Sequence, residues 1–137
     1  MRLPPAAEFA VRGATALAGH YGNGPLSLDS ICAAQGLPKP YLTKIFASLT
    51  RAGLITPVRG KHGGYLLAKA PGQISLLEVI EAVQGPVNLN FCTHDPPRCD
   101  REQCPMRPVW KDLQAHLRKR LAAVTLGNGA TVHKAVS

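Results

Sequence analysis

The first apolar positions of the chain, Phe9, Ala10, Ala14, Leu17 and Ala18, recur at helical spacing behind Pro4 and Pro5. Proline suits a first helical turn, where its missing N–H would have no partner anyway. Tyr21-Gly22-Asn23-Gly24-Pro25 is a dense stop signal. Ser27 then serves as N-cap for a second helix over about Leu28 to Ala34, and Gly36-Leu37-Pro38 reads as a tight turn. A third helix, Pro40 to Ala52, carries Leu42, Ile45, Phe46 and Leu49 as one buried stripe. After Gly53 the pattern shortens to two strands, Leu54–Val58 and Gly64–Ala68, around the tip Arg59-Gly60-Lys61-His62-Gly63. Ser75-Leu76-Leu77-Glu78 has the form of a capping box and opens a helix that closes near Gly85-Pro86. Pro105 starts a last long helix with Val109, Leu113, Leu117, Leu121 and Val124 along one face, and Lys111, Arg118, Lys119 and Arg120 on its wet side.

These elements predict a mainly α protein with a small β-hairpin wing (α+β). A winged helix-turn-helix domain occupies residues 1–86, a cysteine-rich loop 87–104, a dimerisation helix 105–126 and a flexible tail 127–137. No internal repeat is present. The chain has 137 residues, 45% of them hydrophobic and 5% aromatic, so its core is built largely from Leu, Ile, Val and Ala. A domain this small has nothing left to cover the apolar stripe of its last helix, which predicts a homodimer.

Charge sharpens the picture. The net charge is +8, and between Asp29 and Glu78 there is no carboxylate, while Lys39, Lys44, Arg51, Arg59, Lys61 and Lys69 fall in that stretch. Such a stretch inside a folded domain suits a phosphate backbone. In a winged helix-turn-helix the third helix enters the major groove. Its outward face would present Pro40, Thr43, Lys44, Ala47 and Arg51, with Lys39 and Tyr41 at its N-terminal end. Lys39, Lys44 and Arg51 can neutralise phosphates, and Tyr41 and Thr43 can reach phosphates or base edges. At the hairpin tip, Arg59, Lys61 and His62 lie among glycines that let the backbone approach a duplex closely. The expected partner is double-stranded DNA, with a pseudo-palindromic operator matching a two-fold dimer.

Three of the four cysteines, Cys92, Cys99 and Cys104, crowd into one loop with C-x₆-C-x₄-C spacing. Thiolate is a soft ligand suited to zinc and to iron–sulfur clusters. Three thiolates close neither a tetrahedral zinc site nor a four-ligand cluster, so His94, Asp95, Asp100, Glu102 and the distant Glu8 are candidates for a fourth position. The absence of a C-x₂-C pair weighs against zinc and toward an iron–sulfur cluster. Oxidative pairing of Cys99 with Cys104 is a further reading. Cys32, among Ile31, Ala33 and Ala34, reads as a small core residue. No apolar run approaches the about 20 residues needed to span a bilayer, and Met1-Arg2-Leu3-Pro4-Pro5 does not open a secretory signal. The expected location is the cytoplasm, where thiols stay reduced.

The run Tyr41-Leu42-Thr43-Lys44-Ile45, then Ala52-Gly53-Leu54-Ile55, then Arg59-Gly60-Lys61-His62-Gly63-Gly64-Tyr65-Leu66-Leu67-Ala68 resembles the IscR/NsrR/CymR family of bacterial Rrf-type winged-helix regulators. Met1-Arg2-Leu3, Ile74-Ser75-Leu76, Val79-Ile80 and Val83-Gln84-Gly85 extend the likeness over about Met1 to Leu126. The resemblance implies a dimeric transcription factor with an iron–sulfur cluster ([4Fe–4S] or [2Fe–2S]) held by three cysteines. It also implies that Glu8, from the partner subunit, supplies the fourth ligand, as in the nitric-oxide-sensing branch. The cluster-assembly branch uses a His three residues after the last Cys, where this chain has Arg107.

The expected function is therefore a dimeric repressor whose DNA affinity follows a cluster sensing redox state, nitric oxide or iron–sulfur status. Two rivals keep the fold: a structural zinc or redox-thiol loop without cluster sensing, and an interaction module that does not touch DNA. An enzyme is disfavoured, because the chain has no C-x-x-C motif, nucleotide-binding glycine fingerprint or nucleophile–base constellation.

Overall fold

The computed structural model describes residues 3–90, 93–98 and 104–127. Helix α1 spans Pro5–Gly19, α2 Leu28–Gln35 and α3 Lys39–Arg51; strands β1 (Ile55–Val58) and β2 (Gly64–Leu67) follow, then α4 (Leu76–Gln84) and α5 (Arg107–Ala123). Local chemistry sets several of these ends. Ser27 Oγ accepts the Ser30 N–H at 3.1 Å, and Ser75 Oγ accepts the Glu78 N–H at 3.0 Å, so both expected N-caps are made. Gly36 closes α2 in the left-handed region at φ 64°, where a side chain would be strained.

Helix α3 lies on α1, α2 and α4. Its stripe, Leu42, Ile45, Phe46 and Leu49, joins Ala10, Ala14 and Leu17 of α1, Ile31 of α2, Ile74 and Val79 in the main core. Strands β1 and β2 pair antiparallel, Ile55 opposite Leu67 through Val58 opposite Gly64. The T-shaped contact between Phe46 and Tyr65, with ring centroids 4.9 Å apart, ties the hairpin to α3.

Some long-range features lie beyond local pattern. Leu26 bridges Tyr65 through reciprocal N–H···O bonds of 3.0 and 2.9 Å, an isolated antiparallel bridge on the outer side of β2. Gly64 makes room for it, since a Cβ there would sit 2.3 Å from the Leu26 carbonyl oxygen. A one-turn 3₁₀ helix, Pro71–Gln73, leads toward α4.

Two expectations about the last helix need correction. It ends at Ala123, not at 126, because the chain turns back to pair with the segment before α4: Leu76 N–H donates to the Val124 carbonyl at 2.8 Å and Leu126 N–H to Ile74 at 3.0 Å. Leu126 is thereby buried in the main core and Val124 leaves the helical stripe. The stripe itself is also only partly bare. Leu117 and Leu121 pack against a second core of Ala7, Ile80 and Val87, while Val109 and Leu113 stay 44% and 47% exposed. Cys32 is half-buried against the main core, as expected.

Candidate nucleic-acid interface and cysteine loop

Burying the α3 stripe turns Pro40, Tyr41, Thr43, Lys44, Ala47 and Arg51 outward, and each is exposed. These side chains are not equally free. The Thr43 hydroxyl donates to the Lys39 carbonyl at 2.8 Å, as helical threonines do, leaving its lone pairs and methyl outward. Tyr41 meets the edge of Phe9 of α1, ring centroids 5.3 Å apart, so its ring is partly committed to packing while it remains 36% exposed. Lys39 Nζ lies 2.7 Å from an Asp29 carboxylate oxygen. The hydrogen bond to Asp29, then its charge, raises the Lys39 pKa above its ordinary value. Asp29 sits in the first turn of α2, where a carboxylate is favoured. Lys39 is thus partly neutralised, which its place in the sequence does not reveal.

Arg51 donates to Ser48 Oγ at 3.1 Å and keeps its charge outward. At the wing tip, Arg59, Gly60, Lys61 and His62 are exposed around Gly60 at φ 119°, and the Gly63 N–H donates to the Gly60 carbonyl at 3.1 Å. Lys44, Arg59 and Lys61 form no ion pair among the described residues. The structure thus places cations without ion-pair partners among the described residues on both α3 and the wing tip, two elements joined through one core. A domain of this shape and charge can grip a phosphate backbone on two sides of a groove.

The cysteine loop hangs from α4 and α5. Cys92 and Cys99 lie outside the described residues, as do Asp100 and Glu102; Cys104 is a free, half-buried thiol just before α5. Glu8 stands exposed on α1 and pairs with Arg12 at 3.2 Å, and among the described residues no three Cys, His, Asp or Glu side chains gather where they could hold a metal ion. His94 is half-buried, its Nδ1 3.5 Å from Asn88 Nδ2. Thiolate is a donor type that suits an iron–sulfur group, and of the three loop thiols the described one, Cys104, is free and half-buried.

The root of the loop is tightly held, by residues that sequence reasoning missed. Gln114 Oε1 accepts the Leu89 N–H at 2.8 Å, and its Nε2 donates to Asn88 Oδ1 at 3.2 Å and to the Thr93 carbonyl at 3.4 Å. Thr93, 8% exposed, closes its own turn with Asn90 through bonds of 2.7 and 3.1 Å. One helical turn beyond Gln114, Arg118 forks onto both carboxylate oxygens of Glu81, and Glu81 Oε2 also accepts the Val87 N–H at 2.7 Å. Partial burial resists ionisation of Glu81, but the Arg118 hydrogen bond, the Val87 N–H and the Arg118 charge outweigh it and hold the carboxyl below its ordinary value. Arg118 is therefore not on the wet side of α5; it bridges to α4. The local hint was the spacing of Gln114 and Arg118, four apart beside the Leu113, Leu117, Leu121 stripe.

No helix among the described residues is long and apolar enough to cross a membrane. Residues 4–128 match the Rrf2 family, described as iron-dependent transcriptional regulators. The chain is 36% identical over 127 residues to the HTH-type transcriptional regulator IscR of Cronobacter sakazakii, covering 93% of this chain and 78% of that one. Its fold is similar to CymR, the global cysteine regulator of B. subtilis, with a TM-score of 0.85, 26% identity and coverage of 96% and 98%. It is also similar to T. potens IscR, with a TM-score of 0.80, 30% identity and coverage of 97% and 88%. A helix-turn-helix with free cations on its third helix and wing, matched along nearly its whole length by these regulators, has one reading: the chain belongs to the Rrf2 family and is a DNA-binding transcriptional regulator, not an enzyme.

Proposed function

We propose that the protein is a homodimeric repressor in the cytoplasm that binds a pseudo-palindromic operator and adjusts its grip through an iron–sulfur cluster, [4Fe–4S] or [2Fe–2S]. The observation that carries the DNA half is the pair of cationic features on one rigid domain, Lys44 and Arg51 on α3 and Arg59 and Lys61 on the wing, in a stretch without carboxylates. Lys39, Pro40, Tyr41, Thr43 and His62 complete the contact surface, with Lys39 shared with Asp29.

Two copies are needed because α5 leaves Met106, Val109 and Leu113 between 44% and 47% exposed, spaced to form one apolar patch. Pairing these patches places two recognition helices about one DNA turn apart, about 34–36 Å.

Cys92, Cys99 and Cys104, with Glu8 of the partner subunit, would hold the cluster; the family's iron dependence supports this reading. When bound, the group supplies a centre that reacts with oxidants and nitric oxide. The chain's own part is mechanical. Gln114 and the Glu81–Arg118 pair fix the loop to both α4 and α5, and α4 packs on α1 and α3. A change in loop geometry therefore bears on the angle between α5 and the reader. Small errors in that angle cost several phosphate contacts at once, while the DNA-facing side chains stay unchanged.

The experiment is anaerobic purification with iron and sulfide counts and an absorption spectrum, repeated for Glu8→Ala. Visible bands with matched iron and sulfide are expected, weakened in Glu8→Ala. A colourless protein containing zinc would replace the cluster with a structural metal.

A further inference from the structure

One side chain of α5 touches both flanks of the segment that carries Cys92. Gln114 accepts from Leu89 on the N-terminal side and donates to Thr93, the residue directly after Cys92, on the other. It also holds Asn88, whose amide reaches His94 and the Pro86 carbonyl. Only a side chain with both a donor and an acceptor at its tip can do this, which excludes carboxylates, lysine and arginine from the role. Four residues further along the same helix, Arg118 fixes α5 to Glu81 of α4, and Glu81 in turn holds Val87, where the loop begins.

The two contacts act differently. The Glu81–Arg118 fork joins two regular helices and ties α5 to the reader through α4. The Gln114 contacts join α5 to the backbone of Leu89 and Thr93, on either side of Cys92 in sequence. Through these bonds a shift of Leu89 or Thr93 would be passed to α5, with Arg118 as its fixed point.

We propose that Gln114 is the positioning residue through which the state of the cysteine loop sets the pose of α5, with Glu81–Arg118 as the fulcrum. This rests on the cluster reading above and adds which residue reads the loop. Gln114 is not a ligand, so its loss leaves the thiolates in place and uncouples them from the DNA readers.

The test uses the full-length dimer, prepared anaerobically with iron and again after chelation. The probe is a duplex selected from a random-sequence pool by the wild-type protein. Two quantities are read for wild type, Gln114→Leu and Gln114→Glu: iron per chain, and the ratio of duplex affinities with and without iron. Gln114→Leu should retain wild-type iron content while its affinity ratio falls from tenfold or more to within about twofold of one. Gln114→Glu keeps an acceptor for Leu89 but loses donation to Asn88 and Thr93, so its ratio should fall between the two. This milder variant carries the test if Gln114→Leu does not fold. A wild-type ratio surviving in the variants overturns the proposal, and so does loss of iron in Gln114→Glu, which would make Gln114 a support for the ligands instead. If the wild-type protein itself binds the duplex equally with and without iron, the sensing reading fails, and this inference fails with it for that separate reason.

Discussion

Helices α3 and α5 both carry apolar residues at helical spacing, and they use them differently. Every member of the α3 stripe is buried, Leu42, Ile45, Phe46 and Leu49 being at most 4% exposed. The α5 stripe is divided: Leu117 and Leu121 dock on the chain's own second core, whereas Val109 and Leu113 face outward. The reader is completed by its own chain and can hold its cations rigidly toward DNA. The outer end of α5 finds no apolar cover among the described residues, and its loop-side contacts are polar and few. A fully packed reader beside a half-covered helix leaves the reading surface fixed and puts any adjustment in the neighbouring segment.

The largest contrast should come from one substitution on each helix. Phe46→Ala opens a cavity where α1, α3 and the wing meet, and should cost about 3–5 kcal/mol in denaturant unfolding. Leu113→Lys should leave protomer stability within about 0.5 kcal/mol while shifting the protein toward monomer in sedimentation. Similar unfolding losses for both would erase the distinction between a finished and an unfinished helix.

The next effect concerns the joint between the halves. Arg118→Met removes hydrogen bonds to a charged partner whose side chain is only 25% exposed, and should cost about 1.5–3 kcal/mol. Its pH signature follows from Glu81. The folded carboxyl titrates below its ordinary value of 4.5, so the pair's contribution is complete above that unfolded value and is lost as pH falls through the lower folded one. Wild type should therefore lose stability relative to Arg118→Met as pH drops below about 4.5; parallel acid profiles would contradict the clamp.

On the reading surface, Lys44→Ala with Arg59→Ala should weaken duplex binding on the order of tenfold at physiological salt and reduce the salt slope by about 2, one phosphate contact each. The smallest change should be Lys39→Ala, because Asp29 already shares that charge. Measured by the same salt titration, Lys39→Ala should alter the slope less than Lys44→Ala, and the reverse order would show that the ion pair opens on DNA.

Local chemistry made most of the reader legible. Ser27 and Ser75 cap the helices they precede, Gly36 turns between α2 and α3, and the stripe from Leu42 to Leu49 fixes which face of α3 meets water. These depend on neighbours within a few residues. Contacts between distant segments were not legible: the Leu26–Tyr65 bridge, the return of Leu126 into the core, the pairing of Lys39 with Asp29, and the Arg118–Glu81 fork. A basic residue on a helix reads as solvated unless its acidic partner is known, and Glu81 lies 37 residues away in sequence. For Gln114 the spacing from Arg118 hinted at a shared face but not at its partners, which lie more than twenty residues away in an irregular loop.

The account turns on whether the cysteine loop governs DNA binding. The decisive measurement is the affinity of one anaerobic preparation for one duplex, at fixed salt, before and after its iron is removed. A change of tenfold or more, reversed when iron and sulfide are restored, is the predicted result; equal affinities with iron bound and with iron stripped would contradict it.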